Sequence, residues 1–267
     1  MKRLFLATVA LVALGLGTPS AFAAELRRPP PPPPPAYAPP PPPAYTWTGC
    51  YVGASAGSSY GTSEHIAVAG SHFGATQVPA GTNIVDRFNL TGFIGGGQLG
   101  CNWQWGAWVF GIEGDGSATN KEGQGFETPL AFLSTTRNNW ISQTQERWLV
   151  TARGRVGLTG WWGDKTLVYV TGGGAWAKID VSEFLLSNLS QSHLESNTRS
   201  GWTVGGGIEY ALGYGWSAKA EFLYVDFGTF STFTSAPFGT ADVLPRDVKL
   251  KDYIWRAGLN YKFGGWY

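Results

Sequence analysis

The sequence predicts an all-β fold: an eight-stranded antiparallel up-and-down transmembrane β-barrel with short periplasmic turns and long extracellular loops. Three observations predict it. In residues 253–263 the apolar side chains Tyr253, Trp255, Ala257, Leu259, Tyr261 and Phe263 alternate with positions that include Arg256, Gly258, Asn260 and Lys262. A period of two is a strand with one greasy face and one polar face. Similar segments recur along the chain, and the gaps between them alternate between hairpin length and long, which is the sidedness of outer-membrane barrels. The minority faces of these segments carry Glu113, Arg153, Arg155, Glu209, Lys219, Glu221 and Arg256. A soluble lipocalin-like barrel would turn that many ionisable groups elsewhere, because a dry ligand cavity leaves each at a heavy desolvation penalty.

Taken from its beginning, the chain first shows a secretory signal peptide over residues 1–23. Lys2 and Arg3 precede a short apolar run, and Ala21-Phe22-Ala23 reads as the cleavage site. That run is too short for a spanning helix, which needs about 20 residues, and no later segment is apolar enough to be one. Residues 24–46 form a proline-rich periplasmic arm, with prolines at 29–35 and 39–43 and a basic foot at Arg27 and Arg28. Proline lacks an amide hydrogen and fixes φ, so the arm is expected as an extended polyproline II spacer. It is either a passive linker or a docking peptide for peptidoglycan or a periplasmic protein.

Residues 47–267 are assigned to the barrel. The eight strands are expected at about 48–60, 89–103, 108–118, 147–159, 166–181, 201–212, 216–227 and 253–263. In the second, Phe93, Leu99 and Trp103 oppose Gln98 and Asn102. In the third, Trp108, Phe110 and Ile112 oppose Glu113 and Asp115. The fourth sets Trp148, Val150, Ala152, Val156 and Leu158 against Thr151, Arg153 and Arg155. The fifth alternates less regularly. The sixth and seventh set Trp202, Val204, Ile208, Tyr210, Ala218, Ala220, Phe222 and Tyr224 against Thr203, Glu209, Lys219 and Glu221. Short turns fall near 104–107, 160–165 and 213–215, and long gaps at about 61–88, 119–146, 182–200 and 228–251.

Composition agrees. Glycine, 38 of 267 residues, is about twice its usual share and lets a curved sheet close. The 13 tryptophans suit membrane interfaces. A net charge of +1 argues against nucleic acid as a partner.

Several stretches resemble one family. Trp47-Thr48-Gly49-Cys50-Tyr51-Val52-Gly53 is similar to its first-strand pattern W-T-G-x-Y-x-G. Residues 95–104, Phe110-Gly111-Ile112-Glu113-Gly114-Asp115, residues 219–226 and residues 256–263 are similar to its second, third, seventh and closing strands. These are the outer-membrane immunogenic, opacity-type "porin family" β-barrels of alphaproteobacteria, and the likeness runs from about 47 to 263. It implies outer-membrane lipid and the barrel-assembly machinery as partners. It also implies a C-terminal assembly signal in Trp255, Leu259, Tyr261 and Phe263, although the chain continues to Tyr267 and either aromatic end could close that signal. Cys50 and Cys101 depart from the pattern, standing where aromatics are expected.

Those cysteines fall at similar heights on neighbouring antiparallel strands and share the lipid-facing parity. In an oxidising compartment they form a disulfide if their Cα atoms lie about 4.4–6.8 Å apart; two unpaired thiols are the alternative. Gly95-Gly96-Gly97-Gln98-Leu99-Gly100 fits a dinucleotide fingerprint in letters only, since it lies inside a strand with no helix following; close strand packing accounts for it. His65, His72 and His193 fall in expected outer loops as solvated side chains, and no catalytic, cofactor or metal site is assigned. Glu113, Asp115, Arg153, Arg155, Glu209, Lys219, Glu221 and Arg256 are read as a lumen charge network, either paired and self-neutralising or lining a gated ion path. Eight strands enclose a space that side chains nearly fill. The expected role is therefore structural and surface-interactive (envelope integrity, antigen or adhesin), with a small-solute or ion porin as the alternative and an outer-membrane enzyme as a remote one.

Overall fold

The computed structural model describes residues 45–69, 71–73, 76–126, 140–185, 188–232, 242–243 and 245–263. The signal peptide, most of the proline arm and the tail beyond Phe263 lie outside the described residues. The strands are β1 (Gly49–Ala67), β2 (His72–Phe73), β3 (Thr76–Gln77), β4 (Asn83–Trp105), β5 (Trp108–Thr119), β6 (Glu122–Phe126), β7 (Trp140–Gly160), β8 (Gly163–Leu185), β9 (Asn188–Gly213), β10 (Trp216–Thr232), β11 (Asp242–Val243) and β12 (Arg246–Phe263). All pairings between them are antiparallel, and β1 pairs with both β4 and β12, so the sheet closes on itself. β5 and β6 together make one stave interrupted at Asn120 and Lys121, which gives eight staves. β2, β3 and β11 form a separate small sheet.

Every stave found at the sequence level is present, with the turns where they were expected. β4 and β5 are joined through Gly106 (φ 60°), β7 and β8 between Gly160 and Gly163 (φ 95° and 91°), and β9 and β10 through Tyr214 and Gly215 (φ 53° and 84°). Positive φ at tight hairpin turns is where glycine avoids the Cβ clash. The opposite end differs from expectation. The gap expected at 182–200 is mostly strand: β8 runs to Leu185 and β9 starts at Asn188. Residues 83–88, 140–146 and 246–251 are likewise strand. The staves therefore extend past their expected bounds at that end.

The alternation also sets the two faces. Outward lie Trp103, Trp105, Trp108, Tyr210, Trp216, Tyr261 and Phe263 at one level, and Tyr60, Trp176, Trp202 and Tyr253 at another. Trp216 meets Tyr261 at 5.2 Å, and Tyr224 meets Tyr253 at 5.3 Å. Tyr253 and Tyr261, Trp216 and Tyr224, and Trp202 and Tyr210 are each eight positions apart. At ~3.3 Å per residue and a tilt of ~40°, that is a rise of about 20 Å, most of the apolar band of an outer-membrane barrel. Trp255, Leu259, Tyr261 and Phe263 all point outward.

Close backbone approach explains the glycine run in β4. A Cβ on Gly96 would stand 2.0 Å from the Gly116 carbonyl oxygen, and one on Gly100 would stand 2.4 Å from the Tyr51 hydroxyl. Both positions face inward beside Gln98, where the wall must stay thin.

Candidate functional site in the barrel interior

Strand parity brings the eight anticipated charged residues into the lumen, where all are buried. Glu113 and Asp115 come from β5, Arg153 and Arg155 from β7, Glu209 from β9, Lys219 and Glu221 from β10, and Arg256 from β12. Arg153 is the hub. Its Nη2 lies 2.5 Å from Glu113 and 2.9 Å from Asp115, and its Nη1 lies 3.1 Å from Glu221. Lys219 Nζ is 2.9 Å from Glu113, and Arg256 is 2.5 Å from Asp115 and 2.7 Å from Glu221. Arg155 lies 3.1 Å from Glu209, donates Nε–H to Asn102, and sits 5.0 Å from the rings of both Tyr51 and Tyr169. Four cations face four carboxylates, so the layer is neutral.

Neutral donors complete it. The hydroxyl of Tyr51 donates to Glu113 at 2.5 Å and that of Tyr169 to Glu221 at 2.9 Å. Ser217 and Asn260 both donate to Glu209 Oε1. Buried charges are tolerable when paired and further hydrogen-bonded; every charge of this layer is paired, while Asp115 Oδ2, Arg155 Nη2 and Arg256 Nη1 lack a hydrogen-bond partner among the described residues.

Below it, at the end where β1 starts and β12 finishes, the mouth is filled. Trp47 is 2% exposed and packs with Val109, Leu167, Tyr169 and Ala211, with Tyr45 against the cluster. The Trp47 indole N–H reaches Thr159 Oγ1 (3.3 Å) and the Asp164 carbonyl (3.1 Å), and its backbone N–H donates to Gln104 Oε1 at 2.7 Å. Lys262 caps the segment, with Nζ 4.5 Å from the Tyr45 ring and hydrogen-bonded to the Thr46 carbonyl. The sequence marks Trp47 as the start of a strand; its ring closes the base instead.

Above this layer the interior carries a large apolar cluster. Ile94, Leu149, Ala175, Ala177, Ile179, Leu223, Val225, Leu250 and Ile254 belong to one buried cluster. Ile254 stands one inward position above Arg256, and Leu223 one above Glu221. Set into this cluster is a second polar group: Lys121 Nζ lies 2.6 Å from both Glu146 and Asp252, all three fully buried. Higher still, Arg246 pairs with Glu183 and donates to Ser142 Oγ at 3.2 Å.

The histidine expectation is corrected. His65, His72 and His193 all lie in strands rather than loops. His65 is fully buried, five residues above Tyr60, with Nε2 3.2 Å from Ser63 Oγ and its ring 5.6 Å from Phe88. Burial, with the Arg246 charge added, holds its pKa well below the usual histidine value. Among the described residues no group of three or more His, Cys, Asp or Glu side chains could hold a metal ion.

Cys50 and Cys101 lie directly opposite across β1 and β4 and are joined in a disulfide. Their Cα atoms are 4.0 Å apart, slightly closer than the expected range.

Residues 9–263 match the family described as outer membrane protein beta-barrel domain. The chain belongs to that family. It is 31% identical over 223 residues to the 31 kDa outer-membrane immunogenic proteins of Brucella melitensis and Brucella suis, a match that spans 82% of this chain and 85% of each relative. Among solved structures it is similar to the outer membrane protein OprG of Pseudomonas aeruginosa, with 16% identity and a TM-score of 0.48 over 82% of this chain and 97% of that one. The fold, the aromatic levels and the family agree on an outer-membrane location.

Proposed function

We propose that this protein is a sealed structural barrel that contributes to envelope integrity and presents its extracellular staves as a contact surface, in the manner of an antigen or adhesin, and that it is neither a pore nor an enzyme. The observation that carries the reading is the vertical stacking of the interior: the Trp47 base, the neutral four-by-four charge layer and the apolar cluster each fill the lumen in turn. An ion would have to displace all three. The charge layer then serves as an internal brace, and Trp255, Leu259, Tyr261 and Phe263 serve as the signal read by the assembly machinery. That the Brucella relatives are named immunogenic supports the surface-exposed part of the proposal. The proline arm is proposed as a docking peptide for peptidoglycan or a periplasmic protein.

Planar-bilayer recording of the refolded chain tests this. Wild type should give no unitary steps, and Trp47→Ala should also stay silent because the layers above remain. Reproducible single-channel steps from wild type would overturn the reading.

A further inference from the structure

The outer wall is not uniform around the barrel. The upper aromatic level passes through Trp148, Trp176, Trp202, Tyr224, Tyr253 and Tyr60, then breaks at β4 and β6. At the break lies a cavity of about 790 Å³, lined by Thr91, Glu122, Gln124 and Gln143 together with Tyr60. A second cavity, about 730 Å³ and walled by Ala56, Gly95 and Ala118, shares Ser58, Phe93 and Asn120 with the first. The two are one groove, apolar where it borders the hydrocarbon and polar where it reaches the outer headgroup zone. The interruption of the stave at Asn120 and Lys121 is what opens it.

We propose that this groove binds an outer-leaflet saccharolipid, with an acyl chain in the lower half and an uncharged sugar head in the upper half. Its mouth opens on the face that lipid already covers, so the occupant arrives by lateral diffusion. Side-chain amides and hydroxyls between aromatic rings are the chemistry that grips sugar hydroxyls and the apolar faces of sugar rings. Asn120 accepts the Phe93 N–H through Oδ1, which leaves its NH₂ to donate. The charge pattern disfavours a phosphate as the recognised group: among the described residues lining the groove, Glu122 is the charged one, and it would repel an anion.

The test uses the full chain refolded in dodecyl maltoside, with N-palmitoyl glucosamine as probe and phosphatidylglycerol as competitor, read by native mass spectrometry. Wild type should carry one saturable glycolipid adduct that phosphatidylglycerol does not displace. Gly95→Phe fills the chain half; a Cβ there meets nothing nearer than the Ser55 carbonyl oxygen at 3.6 Å. The double variant Gln124→Ala/Gln143→Ala strips the head half. Each should lower the apparent affinity roughly tenfold. Equal adduct in wild type and the double variant, or displacement by phosphatidylglycerol, would overturn the proposal. So would a second copy of the chain in the groove, seen as a dimer that Gly95→Phe dissociates. A heat-modifiable gel shift verifies that each variant is folded, and the double variant, altering outward side chains only, gives a reading even if Gly95→Phe fails to fold.

Discussion

Removing Arg153 should be the most damaging single change in the charged layer. Its guanidinium is wholly inaccessible and lies within 3.1 Å of Glu113, Asp115 and Glu221. Arg153→Ala leaves four carboxylates facing three cations in a space closed above and below. Stripping one partner from a buried ion network is worth about 3–5 kcal/mol, because the stranded charge keeps its desolvation penalty. With a urea slope near ~2 kcal/mol/M, the unfolding midpoint in phospholipid vesicles should fall by roughly 1.5–2.5 M. Arg87→Ala is the control. Its pair with Glu64 is mostly exposed, and such pairs contribute about 0–1 kcal/mol. A second arm removes charge evenly. Arg153→Leu/Glu221→Gln restores three against three and should recover much of the loss, since balanced replacement of buried ions is often nearly neutral. Similar midpoints for Arg153→Ala and Arg87→Ala, or no recovery in the double variant, would refute the reasoning.

Other expectations follow from the same geometry. Replacing Cys50 and Cys101 by serine frees a 51-residue separation and should lower stability by roughly 4 kcal/mol on the chain-entropy account; alkylation of the folded wild type without reductant should label neither thiol. Trp47→Ala should reduce thermal stability by about 3–5 kcal/mol, the usual loss for a buried tryptophan, and should speed exchange of backbone amides around Gln104 and Thr159. Acid should loosen the extracellular staves. His65 stays neutral when folded while its unfolded counterpart takes a proton near pH 6.5, so stability is unaffected above that pH and falls by about 1.4 kcal/mol per unit below it, down to the depressed folded pKa. Protease cleavage of those staves should rise between pH 7 and 5 in wild type and change little in His65→Gln.

The staves between the aromatic levels were legible because two different solvents mark their two faces. Residues such as Trp255 beside Arg256, or Phe222 beside Glu221, cannot both face the same surroundings, and the period-two signal is strong. Higher up the signal fades for two opposite reasons. In β9 the stretch 195–200 is polar on both faces, so it reads as loop although it continues the ladder. In β8, Ala175, Ala177, Ile179 and Val181 turn inward while neighbours such as Trp176 are also apolar, so the alternation blurs just where the interior changes from charged to greasy. Lys121, Glu146 and Asp252 meet from three distant parts of the chain, and nothing local distinguishes them from surface residues. The place of Trp47 is not legible because a tryptophan at a stave's start looks the same whether it anchors to lipid or folds under the rim.

The bond between Cys50 and Cys101 also bears on how the ring is built. The two residues are opposed rung to rung, so once joined, β1 and β4 cannot slide past one another by even one pleat. Oxidation before insertion would leave β1 and β4 as a pair with its alignment already decided. The remaining uncertainty in closing the circle would then fall on a single unbolted seam, where β1 meets β12.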